Sequence, residues 1–332
     1  MISWKLNGMP PHQHGFSLLE LMVAMAIGLF MIAGVFTAYV NGRHSQNTVD
    51  DQVAMVDTAR FALEVIAADI RQAGVYGRTK EQGKLNTPTF PAGSTTGECA
   101  PGWIANINEI PPVQVFDGTS AYPASCTADY FASVPASDAI EMRYSLMAPV
   151  ADANLLGDVF YVQGNVDQAQ LFYGDTPPIP ELLGQDAQGK DRNFMYVTNL
   201  YYIAANGDAG DGVPSLHRVT LQPGGPVDQI LLTGVENMQI QFGIDSNHDS
   251  LVDRYQDSLA AGMPTTGAAV TWRDVRSVQI WLVVRSPKAD LTLNTVINPV
   301  IGAGTVTIPA GGVNDGFRRI VVSTVALLRN GP

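Results

Sequence analysis

The chain has 332 residues, enough for one large domain or two small ones with a sizeable core. Hydrophobic residues make up 46% and charged residues 15%, which excludes a chain disordered throughout. The formal charge is −12, from 31 acidic against 19 basic residues, and no basic cluster offsets it, so nucleic acid is not an expected partner.

The first element is the apolar run from Phe16 to Val40, FSLLELMVAMAIGLFMIAGVFTAYV, whose one charged side chain is Glu20. As a helix it spans about 37 Å, enough to cross a hydrocarbon core with some tilt. A secretory signal cut at Ala24-Met25-Ala26 would leave the rest of the apolar run on the mature N-terminus, which speaks against it. A plain anchor explains the length but not the acid, because a carboxylate inside an apolar span is costly and implies a partner.

Gly15-Phe16-Ser17-Leu18-Leu19-Glu20 resembles the prepilin peptidase motif of type IV pilin-like proteins, a Gly before the cut and a Glu five positions after it. The resemblance implies cleavage after Gly15 and methylation of the new N-terminus at Phe16. It also implies that Glu20 is the assembly carboxylate, neutralising the N-terminal amine of a neighbouring subunit. An ammonium and a carboxylate, each costly alone in an apolar bundle, are tolerable as a pair. The leader, residues 1–15, departs from the usual short basic form: it carries Lys5 with His12 and His14, and Met9 is a second candidate start. Arg43 beyond the span weakens the positive-inside signal, so orientation rests on the resemblance and the cysteines.

Past Val40 the pattern becomes amphipathic. Val49, Val53, Val56, Leu63, Ile66 and Ile70 recur at helical spacing and Gly74 is a stop, so the helix is expected to continue through residues 41–74. Ala59, Ala67, Ala73 and Arg60 make a poor dimer seam, which favours packing on a sheet over a coiled coil. Residues 75–137 are rich in Gly, Pro, Ser and Thr and hold Cys99 and Cys126. In an exported domain these read as one disulfide, in a reducing compartment as two thiols.

Residues 138–332 are expected to form a β-rich head. Ile140, Met142, Tyr144 and Leu146 alternate, as do Met238, Ile240, Phe242 and Ile244, and Val278, Ile280, Leu282 and Val284. Residues 159–162 and 196–203 read as further strands, and Arg318 to Asn330 as the last. The expected class is α+β, with a long N-terminal helix packed on an antiparallel sheet, a type IV pilin-like arrangement.

The order of segments resembles the minor pilin PilW family. The matching pieces are Arg60-Phe61-Ala62-Leu63, Asp69 to Gly74, the Asp-rich loop near 245, Val275 to Ser286 and the closing run to Arg329-Asn330. The resemblance implies a minor pilin that primes or supports type IV pilus assembly. Its partners would be other minor and major pilins, the prepilin peptidase and the inner-membrane assembly platform. Its location would be a single pass through the inner membrane with a periplasmic head, then the extracellular pilus. A minor pseudopilin of type II secretion and a pilus-tip adhesin on the same anchor are the alternatives.

Two chemical readings remain. Asp245, Asn247, Asp249 and Asp253 stand at positions 1, 3, 5 and 9 of an EF-hand-like loop, with the Leu251 carbonyl at position 7, a pattern that suits Ca²⁺. Ser250 where Gly is wanted and Gln256 at position 12 depart from it, and the competing reading is an Asx-rich turn. His12, His14, His44, His217 and His248 are scattered, and neither HExxH, GxSxG nor a P-loop occurs, so no enzymatic activity is expected.

Overall fold

A computed structural model of the chain describes residues 15, 17–77, 85–86, 112–116, 118, 137–164, 169–177, 193–207, 211–223, 225–257, 272–290, 296–301, 304–306, 308 and 314–328. Residues 1–14, Phe16, Cys99, Cys126 and most of the 75–137 stretch lie outside the described residues. The chain divides into two compact units, Met1–Gln52 and Val53–Pro332. One helix, α1 (Leu18–Gln72), begins in the first and ends in the second.

In the first unit, Leu, Met and Ala dominate the start of α1 and no proline interrupts it, so local preference and hydrophobicity both favour helix. Its apolar side chains are bare: Leu18 is 77% and Phe30 81% exposed. The helix is long and apolar enough to cross a membrane, and its most apolar stretch is not buried within the protein. Where the apolar run ends, Arg43 donates from Nε to the Tyr39 hydroxyl at 3.0 Å and its guanidinium lies over the Tyr39 ring.

In the second unit, Met55, Ala59, Ala62, Leu63, Ile66, Ala67 and Ile70 form the buried face of α1. The three alanines alternate with the larger side chains on this face. Val49 and Val53, expected on this face, are exposed. Val53 is displaced by about 120° from the centre of the buried face at 3.6 residues per turn, and Met55 takes its place. Gly74 ends the helix with φ +80, its N–H donating to the Arg143 carbonyl at 3.0 Å; a Cβ there would press on Pro112.

An eight-stranded sheet contains β1 (Leu85–Asn86), β2 (Val113–Phe116), β3 (Ala139–Val150), β4 (Phe160–Gly164), β5 (Ala169–Tyr173), β6 (Asn193–Ala204), β7 (Ser215–Gln222) and β8 (Gly225–Thr233). Its order is β1-β5-β4-β6-β3-β2, with β7 added to β6 and β8 to β7; the β1–β5 pair is parallel and the other pairs antiparallel. The second sheet runs β10-β9-β11-β14 and is antiparallel throughout, from β9 (Val235–Ile244), β10 (Arg254–Asp257), β11 (Val275–Ala289) and β14 (Phe317–Leu327). A small hairpin of β12 (Val300–Ile301) and β13 (Gly304–Thr305) accompanies Ile301 and Ile308, which pack on Val283 of β11.

The alternating residues of β3, β9 and β11 do face the core: Ile140, Met142, Ile240, Phe242, Val278 and Ile280 join Ile66 and Ile70 of α1 in one cluster. Leu146 leaves the pattern, 38% exposed, because the β3–β6 register shifts after Ser145. Chain and core pass between the sheets at Gly234, where φ is +84; its N–H donates to the Pro214 carbonyl at 2.7 Å and its carbonyl accepts Arg285 N–H at 2.8 Å. Asp138 adds a second stitch, accepting Ile240 N–H at 2.8 Å while its own N–H donates to the Met238 carbonyl.

Candidate functional site

The N-terminal site is built on the first turn of α1. Ser17 caps the helix: its Oγ accepts the Glu20 N–H at 3.2 Å and its carbonyl accepts the Leu21 N–H at 3.2 Å. Glu20 is exposed in the first turn, where the unpaired amides of a helix start favour a negative charge. Gly15 is exposed just ahead of it, with nothing within 4 Å of a Cβ added there, and Phe16 lies outside the described residues. Ser17 escaped the sequence reading, although Ser17-Leu18-Leu19-Glu20 has the S-x-x-E form that marks a helix start.

The Asp-rich loop follows β9, as expected, but its oxygens are turned onto donors within the protein. Asp245 is fully buried; its Oδ2 accepts Arg276 Nε–H at 2.8 Å and Ser250 N–H at 2.9 Å, and its Oδ1 accepts Asp249 N–H at 3.1 Å. Burial pushes the Asp245 carboxyl up, but the Arg276 guanidinium and the Ser250, His248 and Asp249 amides together hold it below the usual carboxylate range. Asp253 accepts both the hydroxyl and the amide of Ser246, at 2.7 and 2.8 Å, and these bonds lower its pKa. Asn247 Oδ1 takes the Asp249 N–H at 3.0 Å, and Asp249 Oδ1 takes the Leu251 N–H at 2.8 Å. His248 and Ser250 both have positive φ, the strain of a tight turn carried by non-glycine residues.

Among the described residues, no group of three or more His, Cys, Asp or Glu side chains is gathered at one point. Asp245 also forms an ion pair with the Arg276 guanidinium at 2.8 Å.

A third cluster, absent from the sequence reading, fixes α1 to the larger sheet. Asp69 of α1 accepts the Tyr201 hydroxyl at 2.7 Å and Asn199 Nδ2–H at 2.7 Å on Oδ2, and the Tyr144 hydroxyl at 3.0 Å on Oδ1. Thr220 of β7 donates in turn to Asn199 Oδ1. Burial first, and then the Asp69 charge, push both tyrosine hydroxyls far above their usual pKa, so they stay donors. His217, the one histidine in a strand among the described residues, sits between Tyr202 and Asp228, its Nδ1 2.9 Å from Asp228 Oδ2. The His217–Asp228 pair joins the neighbouring strands β7 and β8.

Residues 10–36 match the prokaryotic N-terminal methylation motif, and residues 200–330 match the family described as Type IV Pilus-assembly protein W. No curated protein sequence matches the chain. Among solved structures, a type IV-like pilin from Thermus thermophilus is similar at 10% identity and a TM-score of 0.38, over 83% of this chain and 95% of that one. A methylation-type N-terminus opening a long apolar helix, followed by antiparallel sheets, defines a type IV pilin-like subunit. Within that class, residues 200–330 are similar to the PilW family, and this match supports a minor pilin's role in type IV pilus assembly.

Proposed function

We propose that this minor pilin is cut after Gly15, methylated at Phe16, and drawn into the filament by pairing of Glu20 with the N-terminal amine of a neighbouring pilin. The observation that carries the reading is an acid in the first, Ser17-capped turn of an otherwise apolar and exposed helix. Before assembly the helix anchors the chain in the inner membrane with the head in the periplasm, where the prepilin peptidase and the assembly platform meet it. After assembly the same apolar face packs among the helices of other minor and major pilins, which hide it from water. In that role the head is a structural subunit, and the oxidising periplasm would pair Cys99 with Cys126.

The test combines processing and assembly in the native host. The intact mass of the purified chain should correspond to a start at Phe16 carrying one methyl group. Glu20→Val as the sole copy should still enter the membrane, since it removes a cost in lipid, yet pilus number should fall sharply because the neighbour's ammonium loses its partner. A mature chain starting at Met1 or Ile27, or full piliation with Glu20→Val, would overturn the reading.

A further inference from the structure

The outer strand of the smaller sheet is built differently from the other sheet borders. β14 pairs with β11 along one side, and no described strand pairs with its other side. Leu328 N–H donates to the Arg276 carbonyl of the β11 side, which sets the phase of the strand. Even-numbered residues therefore bond to β11, while Val321, Ser323, Val325 and Leu327 direct N–H and C=O away from it. The same four side chains lie on the outer face of the sheet, with Val321 40%, Val325 42% and Leu327 63% exposed. Ile320, Val322 and Ala326 point the other way, into the core.

Soluble proteins blunt such a border with Pro, Lys, a bulge or a very short strand. β10, the opposite border, has four residues, two of them charged, and β8 contains Pro226 and Asp228. From Ile320 to Leu327, β14 has no Pro, no charge and no register shift against β11. Arg319 at its start is neutralised inside the protein: it holds Glu236 of β9 through Nε at 2.6 Å and a second bond at 3.0 Å, and it also pairs with Asp315. An uncharged row of amides and carbonyls that no described strand pairs, flanked by alternate apolar side chains, is complementary to another extended strand of like character.

We propose that β14 receives a β-strand from the head of a second, different pilin-like subunit, extending the four-stranded sheet across the subunit boundary. The proposal rests on the assembly role and adds to it a contact between heads, separate from the one that Glu20 makes. A second copy of this chain fits less well, because it would bring the same formal charge of −12 against the first.

The phase of the strand supplies the test. Ser323→Pro removes an outward N–H and leaves the β11 ladder whole, whereas Thr324→Pro removes a ladder bond. In the full chain in its native host, a photocrosslinker at Val325 should form an adduct that mass spectrometry maps to a strand in the head of another pilin-like subunit. The same crosslinker at the exposed Leu156 should not. Ser323→Pro should keep the wild-type melting temperature and reduce the Val325 adduct roughly tenfold, as the loss of an interfacial strand bond and its neighbours implies. Should Ser323→Pro unfold, Val325→Lys with the crosslinker moved to Val321 takes its place. Absence of an adduct, an adduct to lipid, to a helix or to a second copy, or an adduct that both variants leave unchanged overturns the proposal. Piliation that still fails with Glu20→Val in that case leaves the assembly role standing.

Discussion

Asp245 illustrates how a residue's chemistry depends on what reaches it first. Three carboxylates and an amide at alternate positions are a calcium pattern on paper, but Arg276 arrives from the neighbouring β11 and the loop's own amides supply the rest. A buried carboxylate so satisfied is a staple for the turn. Because the folded-state pKa values of Asp245 and Asp253 are lowered, their stabilisation is complete above the unfolded Asp value of about 4. It is lost as pH falls through the folded values. The melting temperature of the detergent-solubilised chain should therefore fall as pH drops below about 4, and Asp245→Asn should flatten that slope. At neutral pH millimolar CaCl₂ should act no differently from NaCl of equal ionic strength. A calcium-specific rise, abolished by Asp249→Ala, would establish the loop as a calcium site.

At the scale of elements, the docked half of α1 is decided by small and large residues in alternation along one face. Met55 is 2% exposed and Val53 54%, so the two neighbours make opposite demands. Met55→Ala should destabilise the folded chain by about 3 kcal/mol, the usual cost of emptying a buried methionine site. Val53→Ala should stay within about 0.5 kcal/mol. Denaturant unfolding followed by tryptophan fluorescence measures both, and equal effects would place the buried face where the Val49–Val53 spacing alone suggests.

That contrast also shows what could be read in advance. The strands β3, β9 and β11 were legible because apolar residues alternate over a core that is wet on neither end. β7 and β8 were not, since His217, Arg218 and Thr220 pair across strands and interrupt the alternation. The position of α1 was legible and its buried face only in part, because alanine carries little pattern yet supplies three of the seven buried positions. Gly15 and Glu20 stood out as a local motif. The Asp69 latch did not, because its four members are scattered along the chain and only the fold assembles them.

For the molecule as a whole, the second half of α1 and the larger sheet meet through that latch, and the spacing of its members has a cost in time. Tyr144 lies 75 residues after Asp69, Asn199 130 and Tyr201 132. Closing such long loops is slow compared with forming the helix itself. At ordinary elongation rates the ribosome needs on the order of 10 s to make the intervening chain, during which the apolar face from Met55 to Ile70 lacks β9 and β11, which cover much of it in the finished fold. Chains stopped short of Asn199 should accordingly be cut by protease within residues 55–72, where the complete chain resists, and equal resistance would show that the face is covered earlier. The helix is thus an early tether that must wait for its own head. Any factor that shields an apolar helix face outside the membrane has its window of action in those seconds, before the latch closes.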